Sequence, residues 1–257
     1  MTEAGDQRAI YPSLKDKRVL ITGGGSGIGE GLVEGFTRQG ANVTFFDICA
    51  EGSAVADRTG AKFVHADLTD IPGVQAAIAG SGPFDILVNN AASDDRHSIE
   101  QVTENYWDER FSVNLKHLFF CAQAVVPGMK AKGQGVIVNL GSISWHLALP
   151  ELALYQTAKA AIEGLTRSLA RDLGPDNIRV TSVIPGNVRT PRQLKWYTPE
   201  GEAEIGVHTR LQLGTLPLSA TQLYSPPRRR AENDERVAES GIGFETCGHI
   251  AFMAHWR

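Results

Sequence analysis

A glycine-rich segment between a predicted strand and a predicted helix constrains the fold of this chain most. The apolar run that ends at Thr22 leads directly into Gly23-Gly24-Gly25-Ser26-Gly27-Ile28-Gly29, and an amphipathic pattern follows. Glycines let a backbone turn tightly and approach a pyrophosphate, whose charge is met by free N–H groups and by the positive end of a helix. The segment therefore predicts a dinucleotide site with contacts from Gly23, Gly25, Ser26, Gly27, Ile28 and Gly29.

The second predicted strand ends in a carboxylate. Asp47 closes the run Val43-Thr44-Phe45-Phe46 and follows the glycines by about twenty residues, where the adenosine ribose binds in dinucleotide folds. Its oxygens can accept hydrogen bonds from both ribose hydroxyls and would repel a 2′-phosphate. Residues 48–51 contain no Arg or Lys to bind that phosphate. The sequence predicts NAD rather than NADP as the cofactor, and an Asp that only caps a turn is the alternative.

Short apolar runs alternate with stretches of helical period from Lys17 to about Pro185, a pattern typical of repeated βα units. We predict strands at 18–22, 42–47, 62–66, 86–90, 135–140 and 179–184. Helices are predicted at 28–39, 71–79, 102–132 with a break or two, and 152–173. The predicted fold is α/β, a single domain with a Rossmann-type doubly wound parallel sheet in a three-layer sandwich.

Composition and charge limit the partners of the chain. A hydrophobic content of 42%, a charged content of 21% and a net charge of -4 are ordinary for soluble globular proteins. They favour a small-molecule substrate over nucleic acid or a membrane.

The predicted absence of a targeting segment and the pattern of cysteines indicate the cellular compartment. Residues 1–17 lack the apolar core of a secretory signal, and no uncharged apolar run approaches the roughly 20 residues that span a bilayer. We expect a cytoplasmic protein. Cys49, Cys121 and Cys247 are odd in number and widely separated, which predicts reduced thiols, no disulfide framework and no metal site.

Tyr155 and Lys159 lie four residues apart in a predicted helix, and therefore on one helical face. A free phenol has a pKa of about 10, too high for a base near neutrality, and a nearby ammonium lowers that pKa. A lysine can also bind the nicotinamide ribose hydroxyls, which would fix the position of the cofactor relative to the base. Taken alone, Tyr155 is more often a packing residue and Lys159 a surface residue. Their spacing in a chain that also contains a dinucleotide loop predicts a catalytic role.

Ser142 follows the fifth predicted strand, thirteen residues before Tyr155. It is expected at the carboxyl end of the sheet, where open α/β folds bind ligands. Its hydroxyl can hold a substrate oxygen on which charge develops during hydride transfer. The alternative role is that of a helix cap.

These segments together resemble the short-chain dehydrogenase/reductase family over about residues 14–205. The resemblance rests on the glycine loop, Asn89-Asn90-Ala91, Asn114, Ser142, the pair Tyr155 and Lys159, and Pro185-Gly186. It implies a catalytic tetrad of Asn114, Ser142, Tyr155 and Lys159, in which Asn114 holds a water that links Lys159 to solvent. It also implies a homotetramer and further cofactor contacts from Asp67, Leu68, Asn89, Ala91, Tyr155, Lys159, Pro185, Gly186, Val188 and Thr190.

The chain departs from the family pattern at Ala92, where a glycine is usual. The added methyl group is expected to crowd the backbone near the cofactor, with a modest effect.

Four further segments resemble bacterial aldose 1-dehydrogenases of this family: residues 94–97, 141–146, 185–188 and 195–202. The resemblance implies oxidation of an aldose at C1 to the aldonolactone, with Tyr155 as the general base. For Asp94, Asp95 and Arg96 we favour a surface ion cluster over sugar ligands. Trp145 or Trp196 is a candidate wall for the sugar ring, with a packing role as the alternative. The expected substrate contacts are Ser142, Ser144, His146, Tyr155, Asn187 and Trp196.

Two other functions remain open. One is an NAD(P)-dependent ketone or 3-oxoacyl reductase of the same fold, against which Asp47 argues. The other is a non-catalytic nucleotide-binding regulatory protein, against which the predicted tetrad argues.

The pattern of polar and apolar residues changes after about Gly206. Residues 208–257 show no clean period, and a weak strand can be drawn through 249–253. The predicted organisation is an N-terminal arm at 1–13, an NAD-binding catalytic domain at 14–205 and an atypical segment at 206–257. That last segment would carry the substrate lid and the last sheet elements, and we hypothesise that a change of reading frame or a sequencing error altered it.

Overall fold

The computed structural model describes residues 9–186, 188, 190–194 and 222–224. Within them one sheet contains the strands β1 Arg18–Thr22, β2 Asn42–Asp47, β3 Lys62–His65, β4 Ile86–Asn89, β5 Gly135–Leu140, β6 Ile178–Ile184 and β7 Gln222–Tyr224. The helices are α1 Gly27–Arg38, α2 Gly52–Thr59, α3 Ile71–Ser81, α4 Glu104–Phe111, α5 His117–Lys132, α6 Ser144–Leu147, α7 Ala153–Leu173 and α8 Pro191–Leu194.

The strand order is β3-β2-β1-β4-β5-β6-β7. Strands β1 to β6 pair in parallel, and β7 pairs antiparallel with β6. The chain winds outward from β1 in one direction to β3 and then in the other from β4. This reversal creates a crevice at the carboxyl ends of β1 and β4, where doubly wound sheets bind their ligands.

Both faces of the sheet are covered, which explains why its strands are almost continuously apolar. On one face, Leu32 and Phe36 of α1 pack with Phe45. On the other, Met129 of α5 packs with Phe46. The three-layer sandwich with a Rossmann-type sheet is therefore confirmed.

The six predicted strands agree with the structure to within one residue at each end. The long predicted helix at 102–132 is divided into α4, a π-helical turn at Ser112–Lys116, and α5. The sequence reasoning missed α2, which ends at Gly60 in the left-handed region with φ 74°. It also missed β7.

The predicted N-terminal arm is described from Ala9, and the predicted catalytic domain is described through 194 apart from 187 and 189. The arm contacts α1 through Gln39, which accepts a 2.7 Å hydrogen bond from the Tyr11 N–H and donates one of 2.9 Å to the Ala9 carbonyl. The strand predicted at 249–253 and the change of sequence pattern near Gly206 lie outside the described residues. In the described part of the chain, no helix is long and apolar enough to cross a bilayer.

Candidate active site

The turn from β1 into α1 requires glycine at two positions in the first turn of α1. Gly27 has φ +57°, in the left-handed region, and a Cβ on Gly29 would lie 1.7 Å from the Gly23 carbonyl oxygen. Asn90 holds the loop from β4, because its Nδ2 donates to the carbonyls of Thr22 at 3.0 Å and Gly23 at 2.8 Å. The loop is thus fixed close to the end of β4.

Helix α1 begins at this loop with Ser26 as its N-cap, and the Ser26 side chain makes no capping hydrogen bond. The first N–H groups of a helix have no intrahelical acceptor. Those of Gly27, Ile28 and Gly29 are therefore available to an anion, and the helix dipole favours negative charge there. This donor set fits the pyrophosphate of a dinucleotide.

Asp47 lies at the carboxyl end of β2 beside the same loop. Its Oδ2 accepts a 2.7 Å hydrogen bond from the Gly25 N–H, and its Oδ1 accepts one of 2.9 Å from the Cys49 N–H. A Cβ on Gly25 would come within 2.9 Å of Asp47 Oδ2. A carboxylate at this place has the chemistry to bind ribose hydroxyls, so the residues present fit NAD.

Not every predicted cofactor residue presents its side chain to this crevice. Asn89 is only 1% exposed, and its Nδ2 donates to Asn139 Oδ1 at 2.9 Å inside the sheet. Its amide therefore faces the core, which leaves its backbone for the cofactor. Leu68 is buried. Asp67 is exposed, and its Oδ1 already accepts from the N–H and the hydroxyl of Thr69 at 2.8 and 2.7 Å.

The segment after β6 lies close to the glycine loop. A Cβ on Gly27 would lie 3.3 Å from Thr190 Cγ2, so Thr190 borders the loop directly. Pro185 is buried, and its carbonyl accepts a 3.2 Å hydrogen bond from the Ile143 N–H. Gly186 and Val188 are partly exposed beside them, and Ala91 is partly exposed at the end of β4. Asn187 lies outside the described residues.

Helix α7 brings Tyr155 and Lys159 together, as their spacing predicts. Lys159 Nζ lies 5.5 Å from the centroid of the Tyr155 ring and donates a 2.7 Å hydrogen bond to the Leu140 carbonyl. Ser142, two residues beyond β5, donates from its hydroxyl to Ser144 Oγ at 2.9 Å. The three predicted catalytic side chains thus belong to the carboxyl end of β5 and to the start of α7.

The pKa values at this centre differ from the expectation that Lys159 lowers the pKa of Tyr155. Burial raises the pKa of Tyr155 to about 12; the Ser142 hydroxyl acts against this rise and the Asp94 carboxylate adds to it. Burial also lowers the pKa of Lys159 to about 8, against the opposing effect of Asp94. Desolvation of both charged forms therefore dominates in the protein without its cofactor.

Asn114 is fully buried in the π-helical turn between α4 and α5. Its Oδ1 accepts from the Ser93 N–H and its Nδ2 donates to the Ser93 carbonyl, both at 2.9 Å. Both ends of the amide are engaged in fixing the segment after β4. The water that the family resemblance assigns to Asn114 would therefore have to bind its backbone carbonyl.

Two candidate substrate residues of α6 contact Glu163 of α7. Trp145 Nε1 donates to Glu163 Oε1 at 2.9 Å, and His146 Nε2 lies 3.6 Å from the same oxygen. Ser144 is buried against Ser142. Their described partners are thus protein groups, and Trp196 lies outside the described residues.

Asp94 was predicted to belong to a surface ion cluster, and its effect on Tyr155 and Lys159 was not predicted. Its carboxylate lies 3.3 Å from Arg192 Nε and accepts a 3.1 Å hydrogen bond from Gln193. It also acts electrostatically on both Tyr155 and Lys159. Asp95 pairs with the buried Arg110 at 2.5 Å. Two adjacent aspartates in a loop carry no sequence signal that distinguishes their roles.

Comparison with known proteins agrees with this geometry. The sequence profile of the family described as short chain dehydrogenase matches residues 17–201. The D-xylose 1-dehydrogenase of Caulobacter vibrioides is 60% identical over 203 residues, which are 77% of this chain and 82% of that protein. The probable galactose dehydrogenase of Rhizobium meliloti is 53% identical over 207 residues, 76% of this chain and 81% of that protein.

Solved structures share the same architecture. A 3-oxoacyl-[acyl-carrier protein] reductase of Brucella melitensis superposes with a TM-score of 0.71 at 31% identity, covering 76% of this chain and 78% of that one. The aldohexose dehydrogenase of Thermoplasma acidophilum gives a TM-score of 0.69 at 28% identity, covering 78% and 80%. Because the family profile spans most of a chain that has the matching fold, this protein belongs to the short-chain dehydrogenase family.

Proposed function

We propose that the protein oxidises an aldose at C1 to the aldonolactone, with NAD as the hydride acceptor and Tyr155 as the general base. The observation that carries the proposal is the cluster of Tyr155, Lys159 and Ser142 at the carboxyl end of the sheet, beside a dinucleotide loop. The aldose is supported by the relatives, because those with 60% and 53% identity are named as xylose and galactose dehydrogenases.

In the proposed reaction, the Tyr155 oxygen takes the proton of the anomeric hydroxyl as hydride leaves C1. The Ser142 hydroxyl donates to the same substrate oxygen and steadies its developing charge. Bound NAD supplies the hydride acceptor and, in its oxidised form, a positive charge. Because burial raises the pKa of Tyr155 to about 12 in the protein alone, its deprotonation depends on nearby positive charge, to which Lys159 contributes in its cationic form.

The cofactor contacts that we propose are those named from the sequence, with Asn89 acting through its backbone. For the substrate we propose Ser142 and Tyr155 at the reacting carbon. Ser144, which is hydrogen-bonded to Ser142, acts through it. His146, Asn187 and Trp196 are kept as proposed sugar contacts.

We also propose a homotetramer in the cytoplasm. The support for assembly is that α4 and α5 expose large apolar side chains, with Trp107 45% and Phe119 42% exposed. Exposed aromatic residues of this kind are enriched at protein interfaces. Analytical ultracentrifugation tests the oligomer, and cell fractionation tests the location.

The function is tested by following NADH absorbance with NAD and a panel of D-xylose, L-arabinose, D-galactose and simple cyclic secondary alcohols. The proposal expects oxidation of at least one aldose, with the secondary alcohols poorer. A 3-oxoacyl thioester with NADH or NADPH tests the reductase alternative. Turnover of the thioester without aldose oxidation would replace the proposal with that alternative. NAD binding without any turnover would favour a regulatory nucleotide-binding protein.

A further inference from the structure

His97 is a buried histidine that links the segment after β4 to the loop before α7. The residue is only 6% exposed, and its main-chain N–H donates to the Glu151 carbonyl at 2.9 Å. The preceding residue, Arg96, donates from Nη1 to the Pro150 carbonyl at 3.0 Å. Two successive residues of one segment thus bind two successive residues of the other, and His97 lies where the loop enters α7.

The first turn of α7 needs hydrogen-bond acceptors from outside the helix. The first N–H groups of a helix have no intrahelical partner, and a side chain at the N-cap position commonly accepts from one of them. The N-cap of α7 is Leu152, whose apolar side chain cannot accept a hydrogen bond. The N–H of Leu154, the second residue of α7, instead donates to His97 Nε2 at 3.4 Å. His97 therefore caps a helix whose own N-cap residue cannot do so.

The partners of the two ring nitrogens assign the tautomer of His97. A main-chain N–H can only donate, so Nε2, which faces Leu154, is the unprotonated nitrogen. Nδ1 lies 3.2 Å from the Asp95 carbonyl, which can only accept, so the proton belongs on Nδ1. The Tyr106 hydroxyl is a more distant neighbour, 3.5 Å from Nδ1, and its ring packs edge-on against the imidazole. A neutral imidazole therefore satisfies both partners.

The loop that His97 binds has an unfavourable backbone conformation. Ala148 and Glu151 have φ values of 50° and 60°, in the left-handed region that residues other than glycine rarely adopt. Such conformations persist only where surrounding contacts fix them. The hydrogen bond from the His97 N–H to the Glu151 carbonyl is a contact of this kind. His97 thus holds the end of the loop as well as the start of the helix.

We propose that His97 is a positioning residue that caps α7 and thereby fixes Tyr155, the third residue of that helix, relative to Ser142. The segment that carries His97 is itself fixed, because both ends of the Asn114 amide bind the main chain of Ser93 at 2.9 Å. His97 transmits this fixed position to the first turn of α7. The inference rests on the proposed role of Tyr155 as the base, and it does not depend on which alcohol is the substrate.

The test compares His97→Phe, which keeps a ring and removes both nitrogens, with His97→Gln, whose amide oxygen can accept from Leu154. Tyr106→Phe is the matched control, because it removes the hydroxyl near Nδ1 and leaves Nε2 unchanged. We expect kcat of His97→Phe to fall by about tenfold or more, because a displaced base slows the chemical step. The KM for NAD should be retained, since the glycine loop is not altered. His97→Gln and Tyr106→Phe should keep kcat within about threefold of the wild-type value.

Hydrogen exchange of the Leu154 amide supplies a readout that needs no substrate. In protein labelled with ¹⁵N-leucine, this amide should exchange at least about tenfold faster in His97→Phe than in the wild type. His97→Gln should restore its protection. Nitrogen NMR of the ¹⁵N-histidine-labelled wild-type protein supplies the second readout. It should show a protonated Nδ1 and an unprotonated Nε2 for His97, whose signals are identified by their loss in His97→Gln.

An unchanged kcat or an unchanged Leu154 exchange rate in His97→Phe would overturn the inference. A loss of kcat that His97→Gln does not restore, or a proton on Nε2 in the wild type, would also overturn it. If His97→Phe does not fold, the nitrogen spectrum of the wild-type protein decides alone. Failure of the proposed function is distinguishable, because it would appear as absent aldose oxidation in the wild type, while amide exchange and the imidazole spectrum would be unaffected.

Discussion

Lys159 Nζ donates a 2.7 Å hydrogen bond to the main-chain carbonyl of Leu140. Leu140 is the last residue of β5, and Ser142 follows it by two residues. The last carbonyl of β5 therefore binds the Lys159 ammonium directly, and the Ser142 hydroxyl follows on the same segment. The end of a buried strand thus positions both Lys159 and Ser142, which favours a preorganised site.

Tyr155→Phe should abolish turnover and leave NAD binding nearly unchanged. The substitution removes only the phenolic hydroxyl, so the packing of α7 is kept. Because general base catalysis contributes about 10²–10⁴-fold, we expect kcat to fall by at least about a hundredfold. Stopped assays measure kcat, and quenching of intrinsic fluorescence by NADH measures binding. Sugar oxidation at the wild-type rate would remove Tyr155 from the mechanism.

Asp85 should stabilise the fold in a pH-dependent way. Its Oδ2 accepts from the Arg18 N–H at 2.8 Å, and its Oδ1 accepts from Lys132 Nζ at 2.7 Å. Burial acts to raise the pKa of this carboxyl, but the hydrogen bonds from Lys132 and Arg18 outweigh it and the pKa is lowered. A lowered pKa gives stability above the unfolded pKa of about 3.9, and that stability is lost as pH falls through the folded pKa.

Asp85→Asn should therefore reduce the free energy of unfolding by about 1–2 kcal/mol at pH 7. Urea titrations at neutral and acidic pH measure the difference, which should shrink as the wild-type carboxyl becomes protonated. Asp176→Asn is the control, since Asp176 forms an exposed 2.7 Å pair with Lys130 and such pairs contribute about 0–1 kcal/mol. An equal loss in both variants at all pH values would contradict the argument.

The sheet could be predicted because each buried strand is a short apolar run that stops at a polar or glycine-rich segment. Helix α2 could not, because it has only eight residues and begins at Gly52. Its stability comes from tertiary contacts, as Val55 is buried and a Cβ on Gly52 would lie 2.7 Å from the Phe63 ring. Packing of this kind leaves little trace in local sequence.

The site was predictable where spacing fixes geometry, as for Tyr155 and Lys159 on one helical face. The direction of Asn89 was not, because a strand buried on both sides gives no alternation of polar and apolar residues to indicate its facing. The electrostatic balance at Tyr155 was not predictable either. It depends on burial and on Asp94, and both arise only when distant segments meet.

Asp47→Ala should weaken the preference for NAD. The carboxylate at the end of β2 is the proposed partner of the ribose hydroxyls, and its negative charge would repel a 2′-phosphate. We expect the ratio of kcat/KM for NAD to that for NADP to fall by at least about tenfold. Glu51→Ala is the matched control, because Glu51 is a nearby exposed carboxylate that should not alter the ratio. A wild-type protein that uses NADP equally well would contradict the role of Asp47.

Asp94→Asn should move the pH dependence of turnover to lower pH. Burial is the main cause that raises the pKa of Tyr155, and the Asp94 carboxylate raises it further. Removing this negative charge makes the phenolate less unfavourable, so the pKa of Tyr155 falls. A general base works when it is deprotonated, and the rise of kcat/KM with pH should therefore occur at lower pH in the variant.

Asp95→Asn is the control for this shift, because Asp95 is the adjacent carboxylate and pairs with Arg110 instead. The two variants change net charge equally, so a difference between their pH profiles reports position and not overall charge. The profiles are measured from pH 6 to about pH 10 with the best substrate of the wild-type protein. An identical shift in both variants would assign the effect to general surface charge. A shift confined to Asp94→Asn would show that the segment after β4 tunes the base on α7, since Asp94 raises the pKa of both Tyr155 and Lys159.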